Sequence, residues 1–245
     1  YLLNNGVLQT SAHQNAGFSA NVSTKLFKEL LSIDFRNKTA FIKDQFAPNV
    51  TGSALSFDPT RPVTDGNETY AGYYQWKDPL ANNNPVSTLK LTDDKGTTTR
   101  LLNSLALDLK IPGVNGLSVK SNMSYDVTMG DRLQIRDPKL KDGENAVRGG
   151  SLYHEADINY NSKLIESLIN YKKILSEPNL NMDFTLGHSW QDFNRSYARE
   201  NGNNIFKKDD GTWGFKDTIQ LRQTIPDNKL ISFFGRANFS LNDRY

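Results

Sequence analysis

The sequence has no cysteine, only three histidines and three methionines, and no apolar run near the roughly 18 to 20 residues of a membrane-spanning helix. The missing cysteine excludes a disulfide framework, a thiolate zinc centre and a cysteine nucleophile. Charge of one sign is missing too: Lys+Arg number 29 against Asp+Glu 27, a net +2, which leaves no electrostatic footprint for nucleic acid. The opening residues, Tyr1-Leu2-Leu3-Asn4-Asn5-Gly6, lack the basic start and apolar stretch of a signal peptide. With 37% hydrophobic residues and a mean hydropathy of -0.60, helical spans are excluded. A transmembrane barrel is not, because its strands need only about 9 to 11 residues with one apolar face.

What is present is period-2 alternation. Leu117, Val119, Met123, Tyr125 and Val127 alternate with Ser118, Lys120, Asn122, Ser124, Asp126 and Thr128, and the pattern returns from Leu180 through Met182, Phe184, Leu186, His188 and Trp190. Weaker copies lie at Phe18 to Leu26, Leu31 to Phe41, Leu101 to Leu109 and Ile231 to Leu241. Between Asn159 and Lys173 the alternation blurs at Leu164-Ile165 and Leu168-Ile169, as a bulge or a short helix would make it; the segment reads as a strand. Tyr1 to Leu3 reads as the tail of one more.

The connections alternate in length. Phe27 to Leu30, Ile111 to Gly116 and Ser176 to Asn179 have turn chemistry. Residues 43–100, 129–149 and 194–229 are long and rich in Asn, Asp, Gly, Pro and Lys. Antiparallel neighbours with one short-loop end and one long-loop end are the pattern of outer-membrane barrels, whose periplasmic turns are tight and whose extracellular loops are large. A soluble β-sandwich, serving as a carbohydrate-binding or adhesin-like module, gives the same alternation but does not sort its loops by length. About seven strands make an edge-exposed set that cannot sit in lipid alone, so the chain reads as part of a barrel.

The first long loop contains Ala54-Leu55-Ser56-Phe57-Asp58-Pro59-Thr60-Arg61-Pro62-Val63, then Asn84-Pro85-Val86, then Thr98-Thr99-Arg100-Leu101-Leu102 opening a strand. In the same order follow Leu107 to Tyr125 with its Pro-Gly turn, Ile169-Asn170-Tyr171-Lys172 leading to Gly187-His188-Ser189-Trp190-Gln191, and Ser232 to Ser240 with Asp243-Arg244-Tyr245. This succession resembles the SusC/RagA-like TonB-dependent outer-membrane transporters over nearly the whole chain. The resemblance implies a bacterial outer-membrane location and an all-β, antiparallel, up-and-down transmembrane barrel of which this is the middle part, about seven strands of a 22-stranded whole. Residues 1–245 would form one partial barrel domain, with the amino-terminal extension, the plug and the closing strands lying elsewhere, and Tyr245 in a periplasmic turn. The competing reading makes Phe239 to Tyr245 a carboxyl-terminal assembly signal; Asn242-Asp243 favours the turn. The resemblance further implies uptake of a glycan or oligopeptide, a SusD-like surface lipoprotein as partner, energy from a TonB complex through the plug, contact with lipid, and no cofactor.

The residues themselves offer little for bond chemistry. His13, His154 and His188 lack metal-ligand spacing, and His188 shares a face with Phe184 and Trp190. Lys141-Asp142-Gly143-Glu144-Asn145 and Asp209-Asp210-Gly211 lack the alternate ligands and distal Glu of an EF-hand and read as polar turns. No phosphate loop and no Gly-x-Ser-x-Gly elbow is present, so a non-enzyme without a metal site is expected. The sequons at Asn49, Asn67 and Asn194 are what an Asn-, Ser- and Thr-rich chain supplies by chance. Better candidates are the loop aromatics Tyr70, Tyr73, Tyr74 and Trp76 in the first long loop and Tyr197, Trp213 and Phe215 in the last, where ring faces beside amide side chains suit a sugar. The same rings also suit packing the loops into a cap or contacting a partner. Trp190 and Tyr171 read as membrane-interface girdle residues.

Overall fold

In a computed structural model, residues 1–78, 80–141, 150–177 and 179–241 are described, without the side chains of 222–226. They form one antiparallel sheet of eight strands in sequential order: β1 (Leu2–Asn5), β2 (Ala12–Leu26), β3 (Leu31–Gln45), β4 (Thr92–Lys110), β5 (Leu117–Arg136), β6 (Ser151–Leu175), β7 (Leu180–Lys207) and β8 (Trp213–Leu241). Every strand of the sequence reading is there, and β1 supplies the expected extra tail. No pairing joins β1 to β8 among the described residues, so the sheet is an open arc. Among the described residues no helix is long and apolar enough to cross a membrane.

Register shows how the two faces separate. Val22 pairs with Phe35, Phe35 with Leu105, Leu105 with Met123, Met123 with Ile165, Ile165 with Trp190 and Trp190 with Ile231, so one face carries an unbroken apolar row across seven strands. That face is not covered: Phe233 is 77% exposed, Phe18 63% and Leu186 63%. Among the described residues few apolar side chains are buried, and no second sheet packs on the first. The β-sandwich alternative therefore fails, since a sandwich hides these residues between its sheets. The opposite face carries ion pairs between neighbouring strands: Lys120 with Asp108 at 3.0 Å, Lys172 with Asp183 at 3.2 Å, and Arg100 with Asp126. A sheet apolar on its exposed outer side and ionic on its inner side is a barrel wall.

The strands run past their apolar cores. The first long connection is residues 46–91 rather than 43–100, because Lys43 pairs with Thr97 and Gln45 with Lys95. The second begins after Arg136, with 142–149 outside the described residues. The third expectation is corrected most. Residues 194–229 are not a loop but a paired ribbon, β7 continuing to Lys207 and β8 starting at Trp213, joined by 208–212. Asn and Gly lower strand propensity there, but hydrogen bonding between the two adjacent strands overrides it. No bulge or helix interrupts β6 at 164–169; the blur arises because Leu164 and Leu168 place apolar side chains on the polar face. The bulge lies further out, between Ala156 and Asn159, with Asp157 at φ 53.

The three short turns lie together at one end. Gly116 in the 111–116 turn has φ 86, and a Cβ there would lie 1.8 Å from the Lys172 carbonyl oxygen, so only glycine fits. The expected turn at Asn242-Asp243 lies outside the described residues.

Candidate binding surface on the outer loops

Residues 46–91 fold into a cap around Asn84, which is 1% exposed. The helices α1 (Thr51–Ser56) and α2 (Pro85–Lys90) lie in it. Asn84 is the N-cap of α2: its Oδ1 accepts from the Val86 and Ser87 N–H groups, and Pro85 occupies the first turn, where no N–H is needed. The amide nitrogen donates to the carbonyls of Val63 at 2.8 Å and Tyr74 at 3.1 Å. Gln75 completes the hub, accepting from the Asn84 N–H at 3.0 Å and donating to Ser87 Oγ at 2.8 Å. The Asn-Pro-Val motif is thus a knot tying three segments of loop together.

The knot positions the aromatics. Tyr74 and Trp76 meet edge to face at 5.6 Å, Phe57 stands 6.3 Å and 6.4 Å from them, and the Arg61 guanidinium lies 5.0 Å from the Trp76 ring. Both Tyr74 and Trp76 remain partly exposed. The loop beneath is clamped from a second direction: buried Lys141, just beyond β5, donates from Nζ to the carbonyls of Trp76 at 3.1 Å and Asp78 at 3.0 Å. Burial pushes the Lys141 ammonium below the ordinary lysine pKa, with Asp78 opposing. Tyr70 ends a 3-10 turn begun by Glu68, and Tyr73 makes an isolated bridge to Thr64.

Tyr197, Trp213 and Phe215 are not loop residues; they sit on β7 and β8, for the reason given above for 194–229. Trp213 lies 5.7 Å from Lys207 Nζ, and Phe215 lies over Gly202, where a Cβ would come within 2.6 Å of its ring. Tyr197 is flanked by Arg195 at 5.6 Å and Arg199 at 5.3 Å. The structure therefore brings Tyr74 and Trp76 into ring contact, keeps Tyr70 and Tyr73 in the same loop, and places Tyr197, Trp213 and Phe215 on the strands.

Asp209-Asp210-Gly211 is the tip of the β7–β8 ribbon. Asp210 accepts from the Thr212 N–H and hydroxyl, holding its carboxyl below the usual carboxylate pKa, and Gly211 takes φ 80. The 141–145 segment lies outside the described residues beyond Lys141. Sequence reasoning missed two carboxylate partners of the histidines, Asp44 at 2.6 Å from His13 and Asp131 at 3.0 Å from His154, because they come from neighbouring strands 31 and 23 residues away. It also missed the bidentate Arg132–Asp94 pair, 2.9 Å on both arms, with Phe46 4.6 Å from the guanidinium. His188 sits on the apolar face as expected, 4.9 Å from the Phe233 ring.

No family model matches the chain. The TonB-dependent receptor SusC of Bacteroides thetaiotaomicron is 26% identical over 269 residues, covering 100% of this chain and 26% of SusC. A structure of the RagAB peptide transporter superposes with a TM-score of 0.69 at 13% identity, over 96% of this chain and 27% of that one. The RagAB peptide importer gives 0.71 in its closed-closed state, at 14% identity over 94% of this chain and 26% of that one. In the open-open state it gives 0.72, at 14% identity over 96% and 26%. The chain thus spans about a quarter of the length of the proteins it matches. The likeness read from the sequence holds across the whole chain: it is similar throughout to a stretch of the TonB-dependent receptor SusC and shares its fold with part of the RagAB peptide transporter.

Proposed function

We propose that the chain is the middle of an importer barrel that takes up a glycan or an oligopeptide, with the outer cap around Tyr74 and Trp76 contributing to capture. The observation that carries the reading is the single sheet with an exposed apolar face, an ionic opposite face and folded connections gathered at one end. A wall of this kind does no bond chemistry; it supplies a polar lumen and selective contacts. The RagAB structures are of a peptide transporter and SusC is a TonB-dependent receptor, which supports a peptide or glycan cargo and energy delivered from TonB through a plug. The rest of the barrel and the plug would come from further polypeptide, and a SusD-like lipoprotein would lid the outer end.

Uptake of labelled peptides and oligosaccharides by cells carrying the full-length protein tests the reading. Import of at least one cargo, lost when TonB is removed, is expected; TonB-independent passage or none overturns it. Replacing Tyr74 and Trp76 together by alanine in that protein should weaken capture roughly tenfold, the scale of one lost aromatic anchor, with barrel assembly intact. Unchanged capture would retire the aromatic site while leaving the importer reading in place.

A further inference from the structure

A second cluster lies on the inward side of the β6–β7 ribbon, away from the aromatic cap. Strand period places Arg195, Tyr197 and Arg199 on one face of β7, and pairing brings Tyr153 and Glu155 of β6 beside them, Arg199 opposite Glu155. Register continues this face from the ionic face below: Arg132 pairs with Glu155 and Gln134 with Tyr153. Arg199 lies nineteen residues beyond Leu180, roughly 60 Å along the strand, which is past the hydrocarbon even with a strong tilt. The cluster therefore stands at the outer mouth of the lumen.

Its charges are arranged unlike the other pairs of the wall. Arg195 is 5.6 Å from the Tyr197 ring, and Arg199 is 5.3 Å from both the Tyr197 and the Tyr153 rings. Guanidiniums held against aromatic rings keep their N–H edges directed outward in a fixed plane. Arg132 has both arms saturated by Asp94. Arg199, by contrast, reaches Glu155 only at 3.4 Å, and its Nε is buried without a hydrogen-bond partner. Arg195 is exposed and has no carboxylate partner among the described residues. Of the two pre-oriented guanidiniums only that of Arg199 meets a carboxylate, and at a distance, which leaves donors for another.

We propose that Arg195, Tyr197, Arg199 and Tyr153 form a carboxylate-binding ladder at the pore mouth, selecting a cargo that carries acidic groups. The proposal rests on the importer reading and sharpens it. The ligand chemistry is a carboxylate on a flexible chain, supplied either by a uronic-acid oligosaccharide or by an acidic peptide, bound through planar guanidinium forks. Tyr197 then serves as a spacer holding two cations rather than as an open sugar platform.

Isothermal titration of the purified full-length protein with tetragalacturonate, tetraglutamate, maltotetraose and tetraglycine separates the possibilities. Binding of at least one acidic probe, weakened by added salt and absent or weaker for its neutral counterpart, is expected; the probe that responds names the source of the carboxylate. Arg195→Gln should weaken that binding several-fold and Arg195→Gln with Arg199→Gln at least tenfold, while Arg195→Lys, which keeps the charge but not the fork, falls between. Arg195 is exposed, so its single variant reports on binding even where Arg199→Gln fails to assemble; folded barrel is checked by heat-modifiable gel mobility. Failure of both acidic probes, or unchanged affinity in the Arg195 variant, overturns the ladder. Such a failure in a protein that still imports cargo in a TonB-dependent way leaves the importer reading standing.

Discussion

Asn84 shows how much one side chain can organise. Its carboxamide caps a helix and bridges two carbonyls, all within a buried knot. Asn84→Ala should cost the cap about 1 to 2 kcal/mol from the lost N-cap alone, and more because the carboxamide's hydrogen bonds to the Tyr74 and Val63 carbonyls go too, although Val63 keeps the Tyr74 N–H. Limited proteolysis of the assembled protein should then cut within 46–91 much faster than in the wild type, with the strands resistant. Lys141 acts on the same cap through a charged donor. Its folded-state pKa lies below the ordinary 10.5, so the folded protein gives up this proton first, and rising pH through that interval relieves the burial cost rather than breaking the clamp. The cap should hold or tighten toward pH 10.5, and Lys141→Met should lose that trend; cap protection against exchange at two alkaline pH values checks the sign. A third residue, Gly187, lies under the Phe234 ring, where a Cβ would come within 2.2 Å. Gly187→Ala should destabilise the barrel by about 1 to 3 kcal/mol in denaturant melts, and Phe234→Leu in the same chain should recover much of it. Little of this was legible in the sequence. The Asn-Pro-Val motif was visible, but its purpose depends on carbonyls of Val63 and Tyr74 that are brought near only by the folded loop.

At the scale of the strands, legibility follows the solvent. Where lipid meets one face and water the other, apolar and polar residues must alternate, and 117–128 and 180–191 declared themselves for that reason. Beyond the hydrocarbon both faces are wet, alternation relaxes, and β7 and β8 read as loop through 194–229 although they are paired to Lys207 and Trp213. Tyr197, Trp213 and Phe215 were accordingly recognised as candidates but assigned to the wrong kind of element. The two faces should respond differently to charge. Leu186→Lys, on the exposed apolar side, should cost about 2 to 4 kcal/mol of barrel stability, whereas Ser124→Lys on the ionic side should cost little. Unfolding of the full-length protein from lipid vesicles measures both; equal penalties would deny that the faces meet different solvents.

For the whole molecule, everything turns on that difference: one side of the arc faces hydrocarbon and the other a watery lumen. The absence of cysteine from these 245 residues makes the test simple, since an introduced thiol has no native competitor within this stretch. Single substitutions Asn122→Cys, Met123→Cys, Ser124→Cys and Tyr125→Cys, made in the full-length protein in native outer membranes, can be probed with a small membrane-impermeant maleimide. The account predicts labelling at 122 and 124 and protection at 123 and 125, an alternation with a period of two residues along β5. Uniform labelling along the four positions, or labelling of 123 and 125 with protection of 122 and 124, would contradict it.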